Sequence, residues 1–339
     1  MNSARLAEPL NKGVERPRAL RQRRSFPVAV QAAAAVLLYG LLVPVTKSLE
    51  LAGLWPRILA RRPRQGREAF ADYQPTEHDV FVCAFHKSGT NWMLQMTVQT
   101  AHRGTACFEN IHDVVPWPDA PPIFDIAPLR DDRQWHASPV GLRVIKTHLP
   151  VSAVPYSSQA RYLCVVRDPK DVFVSSYHFI KALLLGPMMP SVENFLSLFL
   201  SPGFPPGSWA EHLSSGWEAR HRPNVLFLTY EQMTADLPDT VRRVATHLSV
   251  DLSPGQFDSV VRQSTFAHMK QLHLQFEPPM VLPWSRPRGS IVRHGTPGAS
   301  GELLTPPQQR RIDDYCRAEL ARLGCDFPYD ETFCRKAPL

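Results

Sequence analysis

The chain has 339 residues, 44% of them hydrophobic, and a formal net charge of +7. That length holds one large α/β domain or two small ones and buries a sizeable core. The charge does not mark a nucleic-acid-binding protein: residues 1–70 carry thirteen Lys/Arg against four acids, the rest is slightly acidic, and no basic patch interleaved with aromatics appears.

The first 70 residues read as an extension. Residues 26–45 contain no charge, and as a helix they would be about 30 Å long. Arg21, Arg23 and Arg24 precede them; Lys47, Arg57, Arg61 and Arg62 follow. Basic residues on both sides give no orientation by the positive-inside rule. The expectation is a membrane anchor or membrane-surface segment, with contact over residues 26–60; a helix packed on the domain is the alternative. Residues 61–67 read as the linker, and 71–339 as the catalytic domain.

A strand is expected over 79–85. It breaks at Lys87-Ser88-Gly89-Thr90-Asn91-Trp92, and a helix follows over 91–101. Such a loop exposes backbone N–H groups at a helix N-terminus, where an anion is favoured. Gly89 permits close backbone approach. Ser88, Thr90 and Lys87 add donors and charge, so the loop reads as a phosphate cradle. A Walker loop would place a glycine four residues before Gly-Lys-[Ser/Thr], and this order is inverted. A P-loop-type nucleotide kinase therefore stands only as a runner-up.

Residues 112–139, rich in Pro and Asp, read as a long surface loop. A strand over 142–147 ends at Lys146-Thr147-His148, which places an imidazole of near-neutral pKa as a candidate general base. A third strand, 161–167, ends at Arg167. Asp168-Pro169 breaks it, and a helix over 170–182 carries Ser175. Arg167 and Ser175 can converge on one phosphate; a structural ion pair of Arg167 with Asp168 or Asp171 is the alternative. A fourth strand, 224–230, ends at Tyr230. Helical patterns cover 192–200, 208–219, 238–248, 255–263 and 306–323, and 273–301 reads as a second long loop. Strands alternating with helices imply an α/β fold, a parallel sheet flanked by helices on both faces, with ligands beyond the strand carboxyl ends.

The six cysteines form no C-x-x-C pair and no metal-ligand spacing with His. No metal site is expected, and a reducing, cytoplasmic setting is the simpler reading. No Asn-x-Ser/Thr sequon occurs.

Four of these stretches together resemble the cytosolic-type sulfotransferases that use 3′-phosphoadenosine 5′-phosphosulfate (PAPS). Lys87–Trp92 resembles the family's 5′-phosphosulfate loop. Arg167-Asp168-Pro169-Lys170-Asp171, with Ser175-Ser176-Tyr177-His178, resembles its 3′-phosphate element. Lys146-Thr147-His148-Leu149-Pro150 resembles the segment bearing its catalytic base. Arg293-His294-Gly295-Thr296-Pro297-Gly298 resembles the segment that closes over the 3′-phosphate. The resemblance, over roughly 75–330, implies a P-loop-NTPase-like sulfotransferase fold, PAPS as co-substrate without metal, and a small acceptor bearing a hydroxyl or amine. It implies His148 as general base, Lys87 on the leaving phosphate and Lys146 on the sulfuryl oxygens. Trp92 and Phe266 match the adenine sandwich and Tyr230 a tyrosine at the adenine edge, and Ser264 completes the adenosine site where the family usually has Thr, with the hydroxyl retained; core packing is the alternative for the two sandwich residues. His294 stands where the family has Lys, and His86 where it has Pro. His112, Trp117, Phe124 and Trp135 make an aromatic, lipophilic acceptor plausible. The family's dimerisation motif is not found before Arg293, so oligomeric state stays open. A membrane-tethered nucleotide-binding relative without catalysis is the remaining alternative.

Overall fold

The structure, a computed structural model, describes residues 28–51, 54, 68–121, 124, 126–277 and 297–334. Four strands, β1 (Asp79–Ala84), β2 (Arg143–Thr147), β3 (Arg161–Val166) and β4 (Val225–Thr229), form one parallel sheet in the order β2-β1-β3-β4. All four expected strands are present, each trimmed by a residue at one or both ends. Every residue of β1 is buried, as both faces of a central parallel strand are covered.

Side chains alternate between the two faces. On one, Val80, Val82, Ala84, Leu163 and Val165 pack with Met93 and Leu94 of α2 (Thr90–Ala101), Val241 and Val244 of α7 (Leu237–His247) and Val260 of α8 (Pro254–Gln263). On the other, Phe81, Cys83, Ile145, Tyr162 and Cys164 pack with Val151 and Ala219. Beyond the strand ends this second layer continues through α3 (Pro169–Ile180), α4 (Val192–Phe199), α5 (Trp209–Ala219) and α10 (Pro306–Arg322). The expected helices on both faces are thus observed, and the architecture is α/β.

Three boundaries differ from expectation. Tyr230, expected at a strand end, opens a short helix, α6 (Tyr230–Ala235), because Thr229 and Gln232 form a reciprocal capping box. The loop 112–139 contains one-turn helices at its borders, Ile111–Val114 and Arg133–Ala137, the first capped by Asn110. The helix expected over 170–182 leaves regular geometry after Ile180, entering a π-turn over Lys181–Leu185 and a tight turn at Gly186 with φ +51°. Much of the second expected loop lies outside the described residues, as does the linker 61–67.

Ahead of the sheet runs α1 (Val28–Leu51), with Pro44 inside it. Among the described residues no helix is long and apolar enough to cross a membrane, so the expected anchor gains no support as a span. The helix instead touches the domain: Glu50 accepts from the Ser191 backbone N–H at 2.5 Å and from Asn194 Nδ2 at 3.1 Å.

At the amino ends of the strands, Asp79 and Arg143 form a buried ion pair between β1 and β2. Asp79 Oδ1 accepts from Arg143 Nε at 3.0 Å and Nη2 at 2.6 Å, and Oδ2 accepts from Tyr73 Oη at 2.6 Å. Arg143 Nη1 donates to the Leu129 and Asp131 carbonyls. This knot ties the edge strand to the centre of the sheet.

Candidate active site

The opposite, carboxyl ends of the strands gather the chemistry. After β1 the chain enters a loop with Lys87 at φ +65° and Gly89 at φ +95°, both in the left-handed region. A Cβ on Gly89 would lie 2.7 Å from Tyr230 Cδ2, so only glycine fits against that ring. Lys87, held in a conformation that is costly for any residue with a Cβ, projects its ammonium over the Phe179 ring at 4.1 Å. The loop then becomes the first turn of α2. Ser88 Oγ and Thr90 Oγ1 are buried with no hydrogen-bond partner. Buried hydroxyls are rarely left so, and here they line a turn whose free N–H groups favour an anion.

Trp92, on the first turn of α2, donates Nε1–H to the Ser264 carbonyl at 2.7 Å and meets Tyr230 edge-on, centroids 5.5 Å apart. Asn91 Nδ2 donates to the Phe276 carbonyl at 3.2 Å. Ser264, at the end of α8, keeps a buried Oγ without a partner. Phe266 opens α9 (Phe266–Gln271) two residues later and stays partly exposed. These residues, separated by up to 185 positions in the chain, form one wall.

Arg167 leaves β3 at the same end. Its guanidinium stacks 4.3 Å from the centre of the Tyr230 ring, bonds Asp171 Oδ2 through Nη2 at 3.2 Å and reaches the Lys87 carbonyl through Nη1 at 3.4 Å. Nε is buried and unpartnered. The structural alternative read from the sequence, an ion pair with Asp171, is therefore present, yet it uses only part of the fork. Asp171 Oδ2 also accepts the Gly298 N–H at 2.9 Å, which brings the end of the Arg293–Gly298 stretch beside Arg167. Ser175 lies two turns into α3, half-buried. Arg293, His294 and Gly295 lie outside the described residues.

Beyond β2 stand Lys146 and His148. His148 Nδ1 is 2.7 Å from the Ala84 carbonyl; a carbonyl only accepts, so Nδ1 carries the hydrogen and the Nε2 lone pair is open. Its backbone N–H is held by Asp119 Oδ2 at 2.9 Å. Desolvation, then the neighbouring Lys146 charge, push the imidazole pKa well below its ordinary value, so it is neutral. The Lys146 ammonium rests on the Trp117 ring at 3.4 Å, and burial, with repulsion from Lys87 and against the pull of Asp119, lowers its pKa to about 7.

Trp117 is the centre of an aromatic stack. It lies against His112 and Phe124, centroids 5.6 Å away in each case, and meets His148 edge-on at 5.1 Å. Trp135 does not join it: it stacks on His78 at 4.1 Å, at the amino ends of the strands, because the helix that bears it packs at the far edge of β2. Sequence reading passed over Asp119, Phe179 and His212. His212 of α5 is buried near Phe85, 5.8 Å between centroids, with its pKa lowered by burial to about 4. Only Asp119 had a usable signal, an acid within an otherwise apolar Pro-rich run. His86 is neutral for the same reason, burial then Lys87, at a pKa of about 3, and is bonded to Ser176 Oγ at 2.8 Å.

A sequence model of the sulfotransferase domain matches residues 77–324. The chain belongs to the sulfotransferase family. Among curated proteins it is similar to sulfotransferase 1C2 of Oryctolagus cuniculus, 26% identical over 75% of this chain and 87% of that protein. It is also similar to the amine sulfotransferase of Oryctolagus cuniculus, 28% identical over 78% and 87% respectively. Among solved structures, mouse sulfotransferase SULT7A1 complexed with 3′,5′-adenosine bisphosphate (PAP) superposes with a TM-score of 0.58 at 22% identity, covering 78% of this chain and 90% of that one. Retinol dehydratase in complex with androsterone and PAP gives the same TM-score at 20% identity, over 79% and 88%. Both likenesses concern the fold. The sulfotransferase resemblance read from the motifs is thereby borne out, with PAPS as co-substrate, and the kinase alternative is set aside. The orphaned hydroxyls of Ser88, Thr90 and Ser264 and the glycine-only approach to Tyr230 fit such an anionic nucleotide. Among the described residues no cluster of metal-ligating side chains occurs.

Proposed function

We propose that this sulfotransferase moves the sulfuryl group of PAPS in line to a hydroxyl or amine of a small, aromatic or lipophilic acceptor, with His148 as general base. The carrying observation is the His148 tautomer: Nδ1–H held by the Ala84 carbonyl and Nε2 open, on a ring kept neutral. His148 Nε2 takes the acceptor proton as the acceptor oxygen or nitrogen bonds to sulfur. PAPS supplies the sulfuryl group, and PAP leaves when the bridging S–O bond breaks. Lys87 stabilises the charge that appears on the bridging oxygen, and Lys146 with the N–H groups of Gly89–Asn91 stabilises the sulfuryl and 5′-phosphate oxygens.

Arg167, Ser175 and the segment Arg293-His294-Gly295 hold the 3′-phosphate; the spare Arg167 Nε and the Gly298–Asp171 bond support that placement. Trp92 and Phe266 sandwich the adenine, with Tyr230 at its edge and Ser264 completing the adenosine site. The His112–Trp117–Phe124 stack beside His148 supports an aromatic or lipophilic acceptor. Residues 71–339 form the catalytic domain, residues 26–60 contact a membrane, and six cysteines with no disulfide among them suit the cytoplasm.

The test is calorimetric titration of the full chain with PAP and, separately, with ATP plus Mg²⁺. Micromolar PAP binding without magnesium, far tighter than ATP, is expected; ATP·Mg²⁺ binding with no preference for PAP overturns the reading. The same titration carries a pH signature. An anion favours the Lys146 ammonium, whose pKa is about 7 in the free protein. PAP affinity is therefore full below that pH and falls as pH rises through it, and Lys146→Met flattens the dependence.

A further inference from the structure

α1 is apolar around most of its circumference, and its few polar contacts lie on the docked side. With 3.6 residues per turn, Tyr39, Thr46 and Glu50 share one side, and that side faces the domain. A Cβ on Gly186 would lie 2.8 Å from Tyr39 Oη, so the tyrosine sits directly on that turn. Glu50 bonds Ser191 and Asn194 at the N-terminus of α4, where a carboxylate is favoured. The opposite side of the helix carries Leu37, Leu41 and Val45, which are 69%, 72% and 53% exposed, and Val36, 71% exposed, flanks the docked side. Gly40 and Pro44 lie between them, and a Cβ on Gly40 meets nothing. A helix on a globular protein normally turns its apolar stripe inward. Here hydrogen bonds hold the polar side inward and a contiguous apolar stripe faces out, the pattern of a surface awaiting an apolar partner.

Charge decides which partner. Thirteen Lys/Arg against four acids fall within residues 1–70, with arginines close on both sides of α1 in the sequence. Two copies of this chain meeting stripe to stripe would bring those cationic segments together. An anionic lipid surface attracts them, at about 1 kcal/mol per basic residue near the headgroups. The geometry points to α1 as an interfacial helix that lays its outward stripe, Leu37, Leu41 and Val45, on an anionic phospholipid bilayer without crossing it. This deepens the membrane contact proposed for residues 26–60 and rests on that reading. The docked side of α1 covers residues 186–194, the stretch that continues from α3 just past Phe179, the ring under Lys87.

The experiment is flotation of the full chain with vesicles of phosphatidylcholine alone and of phosphatidylcholine mixed with phosphatidylglycerol, with PAP titration of the same preparation. Binding to the anionic vesicles, weakened by salt, is expected. The double variant Leu37→Asp/Leu41→Asp, altered only at exposed positions, is expected to lose at least about tenfold in vesicle affinity while binding PAP as before. No vesicle binding by a protein that binds PAP overturns the inference. So does equal binding to both vesicle types, or undiminished binding by the variant. A dimer seen by light scattering that the same variant dissociates also overturns it, since a second copy then covers the stripe. Vesicle binding without PAP binding supports the helix and strikes instead at the nucleotide site.

Discussion

The two ends of the sheet treat polar groups in opposite ways. At the amino ends, Asp79 is fully buried and both its oxygens are satisfied by Arg143, Tyr73 and the Thr76 N–H, while Arg143 spends its remaining donors on the Tyr73 hydroxyl and two backbone carbonyls. At the carboxyl ends, Ser88, Thr90 and Ser264 keep buried hydroxyls without partners, Arg167 keeps a spare Nε, and the Lys87 and Lys146 ammonium groups rest on aromatic rings. Leaving a buried polar group unpaired costs about 1–3 kcal/mol. The Asp79–Arg143 knot satisfies its buried groups within the protein, whereas the hydroxyls of Ser88, Thr90 and Ser264 cluster unpaired around one loop, as groups kept for a ligand would. The comparison teaches where stability is invested and where binding capacity is stored.

The sharpest way to break that contrast is at His148. His148→Ala should lower turnover about 10²–10⁴-fold, the usual contribution of a general base, with PAP affinity in calorimetry unchanged. Unaltered turnover would remove His148 from the chemistry and leave its bond to Ala84 as mere scaffolding. At the other end, Asp79→Ala strands the buried Arg143 charge. A loss of about 3–5 kcal/mol in urea unfolding is expected, with PAP affinity of the folded fraction preserved. If PAP binding fell while stability held, the amino-end knot would belong to the site after all. The smallest effect separates the two ends most finely. Ser264→Ala deletes a hydroxyl that no protein group uses, so unfolding stability should move by under about 0.5 kcal/mol. PAP affinity should weaken by about 1 kcal/mol, the typical worth of one hydrogen bond. A large stability loss with unaltered PAP affinity would show that Ser264 is structural.

The strands and the two strand–turn–helix elements proposed to hold phosphate were legible as local structure because their signals are local. An apolar run ending in Lys87-Ser88-Gly89-Thr90 and another ending in Arg167-Asp168-Pro169 each specify a strand, a break and a helix start within a dozen residues. Asp168 caps α3 and Pro169 occupies its first turn, as that sequence order suggests. The start of α6 at Tyr230 was missed although its capping box is in the sequence, since the apolar run before it extends into the helix. Trp135 was read with Trp117 because both fall in one Pro-rich stretch. Only the fold sends one to the catalytic end of β2 and the other to the opposite end.

What the sequence determined by itself was the parallel α/β scaffold, the strand–loop–helix turn at Lys87–Trp92 and the chemical kind of each candidate group, all of which follow from residue type and short-range order. What the tertiary structure decided was the state of those groups. The Ala84 carbonyl on β1 selects the tautomer of a histidine after β2, and burial sets its charge. Trp117, twenty-nine residues before Lys146 in the chain, supplies the ring on which that ammonium rests. The same holds for α1: composition marked it as apolar, but its contacts at Gly186, Ser191 and Asn194 turned its apolar side outward. Desolvation, tautomer choice and helix orientation depend on neighbours brought together across long stretches of chain, so no local pattern encodes them.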